Sequence, residues 1–317
     1  MSDAMRIGVI YIRSPDKAER RLRKLAAKNM AELFQAEGYA AVIKELPAEH
    51  AQAGTGSCSE ADVLVAAGAH SKRELCRLAA YAELLGLVAA GLDPTGAVLG
   101  ADRVLLRRLL AGERVPQSLF RTFTRSQWEQ DSAYFLIEIE MTLGYPCRIG
   151  PPETSCGRDA VLVATREELQ AAVEEVFRKA DRLLAEETVK GRVYAAALGG
   201  GKEAADIAVM ELGGVVPPAE TGYKPPAGSQ LETEVRNASR RAFAALQAKG
   251  PAVLYFVTPD GHSNVLLTDA DLCPELGPEG VHAAVWRDVG TPDGERLKRL
   301  VHAAWKQAAK PAGLTGD

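Results

Sequence analysis

Asp269 and Asp271, two carboxylates separated by one alanine, are the plainest candidates for chemistry in this chain. A pair so spaced can share an Mg²⁺, although the ion needs further oxygen ligands. The same pair could instead cap the turn before Leu272. Gly199-Gly200-Gly201-Lys202 has the look of a phosphate loop. A true P-loop requires Ser or Thr after the lysine and a longer glycine spacing, and Glu203 stands there, so the run reads as a strand-connecting turn. Five cysteines (58, 76, 147, 156 and 273) are an odd number with no C-x-x-C spacing. That argues against a disulfide framework or a zinc site and fits a reducing cytoplasm. Pairing of Cys147 with Cys156 across a hairpin is the alternative to the commoner free, buried thiol.

The elements that must position these groups are legible from periodicity. The chain has 317 residues, 47% hydrophobic and 25% charged, which is ordinary globular usage and enough for about two domains. A net charge of −4 gives no electrostatic case for a nucleic-acid partner. No apolar run approaches the ~18 residues of a membrane span, and no signal-peptide core opens the chain. Arg6–Ile12 reads as a buried strand. An amphipathic helix follows over about 18–37, with Leu22, Leu25, Met30 and Leu33 as its apolar face. Strands over 41–46, 61–66 and 87–90, with a helix over 72–85, complete a βαβ alternation. It predicts an open parallel sheet covered by helices on both faces. Asp93-Pro94-Thr95-Gly96 reads as a turn. Helices are expected over 101–111, 134–143, 166–186, 232–247 and 295–310. Strands are expected over 194–198, 252–258 and 263–267, the last two joined at Pro259-Asp260-Gly261.

Residues 145–157, Tyr-Pro-Cys-Arg-Ile-Gly-Pro-Pro-Glu-Thr-Ser-Cys-Gly, precede Val161-Leu162-Val163. This stretch resembles the nucleotide-binding hairpin of the D-alanine–D-alanine ligase family in the ATP-grasp superfamily, G-x-P-x-x-V-K-P followed by a Glu-Gly-Ser-Ser-Val-Gly-like loop. The resemblance continues in order along nearly the whole chain. Ala18-Glu19-Arg20 matches the family's Ala-Glu-Arg. Tyr81 to Leu87 looks like M-L-E-L-x-G-L, which puts Glu74 on the family's helical glutamate and its histidine at Ala69, beside His70. Ala101-Asp102-Arg103 with Leu109-Leu110 looks like M-D-K…L-L. Glu186 to Arg192 resembles E-x-x-x-x-G-R. Ala219 to Tyr223 with Pro226-Ala227-Gly228 looks like a shortened mobile loop, Y-E-A-K-Y…P-A-G. Asp269-Ala270-Asp271…Pro274 matches E-x-N…P-G.

The resemblance implies a three-lobed α/β ATP-grasp fold, with an N-terminal open parallel α/β sheet domain (1–96), a central lobe (97–192) and a C-terminal lobe (193–317). It implies ATP and Mg²⁺ as cofactors, a small amino acid or dipeptide as ligand, a homodimer, no nucleic-acid or membrane partner, and a cytoplasmic place near peptidoglycan precursor metabolism. By the same resemblance Glu19, Ser155 and Tyr223 meet over the substrate. Arg103 supplies a phosphate cation, Glu186 sits at the adenine, and Asp269 and Asp271 are metal ligands. Four other positions have changed. Gly150 replaces a phosphate-binding lysine, Val193 a ribose-binding glutamate, Val253 a catalytic arginine and Tyr255 a metal-binding aspartate. Each lost charged hydrogen bond is worth about 1.5–3 kcal/mol, so four amount to roughly 6–12 kcal/mol before coupling between them is considered. Arg148 lies two residues before Gly150 and hence on the same face of a strand, which makes it the foremost substitute cation; Arg158 in the loop is another. The expected function is a ligase-like protein with impaired or lost ATP-dependent ligation. The alternative is an active carboxylate–amine ligase with a rearranged site.

Overall fold

A run of β-branched and apolar residues opens the chain as β1 (Arg6–Ile12), followed by α1 (Lys17–Ala36), β2 (Ala40–Leu46), β3 (Val63–Ala66), α2 (Lys72–Leu84) and β4 (Val88–Ala90). This computed structural model describes residues 5–47, 60–68, 70–153, 160–199, 206–212, 229–260 and 264–308. The four strands are parallel in the order β2-β1-β3-β4. Alternation along β1 divides its side chains between two cores. Ile7, Val9 and Tyr11 pack with Ala27, Met30 and Phe34 of α1, while Ile10 and Ile12 pack with Leu75 and Leu78 of α2. The buried face of α1 is Arg23, Ala27, Met30, Ala31 and Phe34. The expected Leu22 and Leu25 are on its outer side, 66% and 54% exposed. Met30 and Leu33 pack inward as expected, and Arg23 shares that inner face because its guanidinium has partners inside the fold.

Next come α3 (Pro94–Gly100), α4 (Arg103–Gly112), β5 (Phe120–Thr124), α5 (Arg125–Gln130), α6 (Ser132–Leu143), β6 (Cys147–Gly150), β7 (Val161–Val163), α7 (Arg166–Lys179) and β8 (Arg182–Glu187). The Asp-Pro-Thr-Gly run is a helix start and not a turn: Asp93 caps the helix and Pro94 takes its first position, where no N–H is required. Asp102 caps α4 in the same way. The helix expected over 166–186 ends at Lys179, and Arg182–Glu187 is a strand. Leu183-Leu184-Ala185 is a short apolar run that periodicity cannot assign by itself. The central sheet is antiparallel, in the order β5-β8-β6-β7. Cys147 is a free thiol in its core, its pKa pushed up to about 11 by burial; Cys156, the other member of the alternative pair, lies outside the described residues.

The remaining elements are β9 (Gly191–Leu198), β10 (Ile207–Leu212), α8 (Gln230–Leu246), β11 (Ala252–Pro259), β12 (Leu266–Asp271), α9 (Val281–Asp288) and α10 (Asp293–Ala308). The third sheet is antiparallel, ordered β10-β9-β11-β12. One face carries Tyr194, Leu254, Phe256 and Leu267 against α4 and α8. The other carries Ala195, Ala197, Val253 and Tyr255 against Val285 and Trp286 of α9. Helix α10 returns to the first sheet, where Leu297, Leu300 and Val301 join the α1 core. Among the described residues no helix is long and apolar enough to cross a membrane.

Candidate active site

Strand alternation sorts the central sheet into a core face and a cleft face. Cys147, Ile149, Leu183 and Ala185 pack inward with α6 and α7. Arg148, Gly150, Leu184 and Glu186 therefore point the other way, with Arg148 paired to Glu186 and Gly150 to Leu184 across the β6–β8 ladder. The β6–β7 pair confirms a hairpin at the stretch read as nucleotide-binding. At Gly150 there is little room for a side chain. A Cβ built there lies 3.0 Å from both Cα and Cβ of Ala160 on the returning arm.

Helix α4 fills the space beside this face with two arginines one turn apart. Arg103 Nη2 donates to Glu186 Oε1 at 2.8 Å and lies 2.7 Å from Oε2. Arg107 Nη2 donates to Oε1 at 2.6 Å. Arg107 also donates to the Leu267 carbonyl of β12 and to Ser118, and its guanidinium lies over the Phe120 ring. All three charged groups are buried. Burial opposes ionisation of Glu186, but the Arg103 and Arg107 charges outweigh it and hold the carboxyl below its ordinary range. The network ties the end of β8 to β12 through one helix. Arg148 is partly buried and is not one of the guanidiniums that grip Glu186. Burial lowers its pKa, partly countered by the Glu186 charge.

The β11–β12 register places four of the sequence-predicted positions on one patch of sheet. Val253 stands opposite Asp271 and Tyr255 opposite Asp269. A bulge at Thr268 interrupts the ladder, and both aspartates lie in β12, with Asp271 at its end also capping the bend that follows through the Cys273 N–H. Asp269 Oδ1 lies 3.5 Å from Arg103 Nε and accepts the Ala270 N–H at 2.8 Å. Asp271 Oδ1 accepts from Lys72 Nζ at 2.7 Å and from the Cys273 N–H at 3.2 Å. Lys72 is the first residue of α2, so this ion pair joins the first sheet's helix to the third sheet. Among the described residues no three His, Cys, Asp or Glu side chains gather as a metal cage.

A second polar cluster is built on the first sheet. Glu19, in the first turn of α1, accepts from Ser14 Oγ at 2.5 Å and from Arg23 at 2.6 Å. Arg23 also makes a two-pronged bond to Glu74, at 2.6 and 2.9 Å, and donates to the Ile12 carbonyl at 3.0 Å. His70 donates from Nδ1 to the Gly68 carbonyl and accepts the Ile12 N–H at Nε2, which fixes the neutral tautomer. Burial, with help from the Arg23 charge, keeps its pKa below the usual value. Burial alone would raise the Glu74 pKa; the Arg23 and Ser71 hydrogen bonds pull it to about 2. A depressed carboxylate stabilises the fold above its unfolded pKa, and that contribution is lost as pH falls through the folded value. Between about pH 4.5 and 2 the protein should thus lose roughly 2–3 kcal/mol from this group. Glu74→Gln should flatten that limb of a stability-versus-pH curve measured by urea denaturation.

Comparison with known proteins fits this geometry. The family profile described as D-ala D-ala ligase C-terminus matches residues 109–302. The chain belongs to the D-alanine–D-alanine ligase family. It is 25% identical over 240 residues to the D-alanine–D-alanine ligase of Bacillus velezensis, covering 72% of this chain and 67% of that one. It is 26% identical over 239 residues to that of Bacillus cytotoxicus, covering 70% and 64%. The matched segments thus span about two thirds of these ligases. The crystal structure of D-alanine–D-alanine ligase from Bacillus anthracis complexed with ATP superposes with a TM-score of 0.76 at 16% identity, covering 96% of this chain and 99% of that one. The three-sheet architecture is therefore the ATP-grasp fold of this family.

Family membership gives the predicted site residues a common frame. Arg103, Glu186, Arg148, Asp269 and Asp271 fall in one neighbourhood, and Glu19 in the α1–α2 cluster. Ser155 and Tyr223 lie outside the described residues, as do Ala69, Arg158 and the loop over 219–228. Two members of the neighbourhood went unread in sequence. Arg107 is four residues from Arg103, a helical spacing that could have marked it. Lys72 is 199 residues from its partner and carries no local signal.

Proposed function

We propose that this D-alanine–D-alanine-ligase-like protein has impaired or lost ATP-dependent ligation, and that it persists as a binder of a small amino acid or dipeptide near peptidoglycan precursor metabolism. The observation that carries this reading is mutual neutralisation. Arg103, the cation aligned with a phosphate-binding lysine, is held by Glu186 and Asp269. Glu186, aligned with an adenine contact, is locked between two guanidiniums. Asp271 is held by Lys72. A nucleotide would have to break these pairs before using any of their members, and Mg²⁺ would have to do so with Val253 and Tyr255 in place of two further polar groups. These residues do not fit MgATP. The deciding experiment is calorimetry of the purified protein with MgATP. The expected result is weak or no binding; a dissociation constant in the low micromolar range would overturn the reading.

The first-substrate side is better kept. Glu19 is about half exposed at its side chain and is bonded to Arg23, which also holds Glu74, the residue aligned with the family's helical glutamate. A thermal-shift screen of D- and L-amino acids and dipeptides without nucleotide tests for the ligand. A binder present at 100 times its dissociation constant stabilises by about 2.7 kcal/mol. That shift should shrink in Glu19→Ala, and no shift with any compound at millimolar concentration would assign the cluster a purely structural role.

One observation favours the active alternative. Arg148 is a partly buried cation on the cleft face beside Gly150, and it is outside the grip on Glu186. If it has taken over from the missing lysine, Arg148→Ala should weaken nucleotide binding by about 1.5–3 kcal/mol. Unchanged binding would retire Arg148 as the substitute.

A further inference from the structure

The paired aspartates of β12 each face a cation that belongs to the protein itself. Lys72 Nζ is 2.7 Å from Asp271 Oδ1, with the two side chains 10% and 20% exposed. Arg103 Nε is 3.5 Å from Asp269 Oδ1, with the two side chains 8% and 11% exposed. Neither oxygen is idle otherwise, since each also accepts a backbone N–H. Mg²⁺ demands near-octahedral oxygen coordination at about 2.0–2.1 Å. An ion on Asp271 Oδ1 would have to expel the ammonium from that oxygen, and an ion anywhere on this carboxylate would meet the ammonium's positive charge. The donor set is also short. Tyr255 and Val253, across the ladder from these aspartates, add a phenol and an alkyl group. A phenol with a reference pKa of about 10 is a poor ligand for a hard cation.

We propose that Lys72 and Arg103 are the resident cations of the Asp269–Asp271 pair, so that this site takes no divalent metal and Lys72 instead fastens α2 of the first sheet to β12 of the third. The geometry suits that task. Ser71 caps α2 with a reciprocal bond to Glu74, which fixes the helix start and aims its first residue at β12. One end of this strut is therefore rigid, and the other is a carboxylate held by the Cys273 N–H. Where the family resemblance implies an ion that comes and goes, this chain has a permanent covalently tethered charge. The proposal goes beyond lost ligation, because a protein unable to use ATP could still bind a metal at two aspartates.

The test uses the metal alone, without nucleotide, so its outcome is separate from that of the MgATP calorimetry. The full chain is titrated with Mn²⁺ and free ion is counted by electron paramagnetic resonance. Wild type is compared with Lys72→Met, with Asp271→Asn, and with the Lys72→Met/Asp271→Asn double variant. Removing the ammonium should uncover Asp271, so Lys72→Met is expected to bind Mn²⁺ at least tenfold more tightly than wild type. The double variant should return to the wild-type level. Circular dichroism checks folding, and Lys72→Gln replaces Lys72→Met if the latter does not fold. The proposal is overturned if wild type already binds Mn²⁺ at submillimolar concentration and loses it in Asp271→Asn. It is equally overturned if removing the Lys72 charge leaves Mn²⁺ affinity unchanged.

Discussion

Glu186→Gln should destabilise the protein by about 3–5 kcal/mol, the range for breaking a buried ion pair from one side. The substitution keeps the size and planarity of the side chain, so packing is nearly unchanged. What it removes is the one negative charge that Arg103 and Arg107 share at 2.6–2.8 Å. Two guanidiniums, 8% and 2% exposed, would then face each other with Arg148 nearby and with Asp269, 3.5 Å from Arg103, as a counter-charge. An intact buried pair is weak evidence for stability, because removing its members from water costs nearly what their attraction returns. The asymmetry lies in breaking it. Replacing the whole network at once, as Arg103→Met/Arg107→Met/Glu186→Leu, should therefore be much milder than Glu186→Gln alone. Urea denaturation followed by tryptophan fluorescence and circular dichroism measures both. A loss below about 1 kcal/mol in Glu186→Gln would mean that water reaches the network and screens it.

Legibility in the sequence followed how local the signal was. The parallel first sheet was readable because β1, β3 and β4 are continuous apolar runs separated by helical periodicity. The hairpin at β6–β7 was readable by resemblance, and the β11–β12 register sets Val253 opposite Asp271 and Tyr255 opposite Asp269. Misreadings came from residues with two uses. Asp93-Pro94 serves a turn and a helix start equally well. Leu183-Leu184-Ala185 suits the end of a helix or a buried strand, and only pairing with β5 and β6 decides. In α1, Met30 and Leu33 pack on the core as periodicity predicts, but in the first turns Arg23 with its ion pairs, and not Leu22 or Leu25, takes the inner face. What the sequence could not show is charge cancellation. Arg103, Glu186, Asp269 and Asp271 each read as a retained functional group. Only their distances to one another and to Arg107 and Lys72 show that they hold each other.

That cancellation sets the expectation for turnover. Supplied with D-alanine and ATP, the protein should release phosphate more than ~10⁴-fold below the ~1 s⁻¹ or faster rate usual for enzymes, which matches a barrier increase of about 6 kcal/mol. Restoring a single family residue should not recover it. Gly150→Lys must first displace Ala160, because a Cβ at that position sits 3.0 Å from its backbone. Val253→Arg would push a guanidinium into the contact made by Ala195, Ala197, Val285 and Trp286, at a site with no solvent exposure. Its natural counter-charge across the ladder, Asp271, is already held by Lys72. Burying that charge without a free partner should cost several kcal/mol of stability, so Val253→Arg is expected to unfold earlier in urea and remain inactive. The family's arginine position has here become part of the hydrophobic seat for α9, and the two uses exclude one another. Coupled phosphate-release assays on wild type, Gly150→Lys and Val253→Arg check this. Turnover near 1 s⁻¹ in wild type would show that Arg148 or the residues around it compensate, and would establish the rearranged-ligase reading instead.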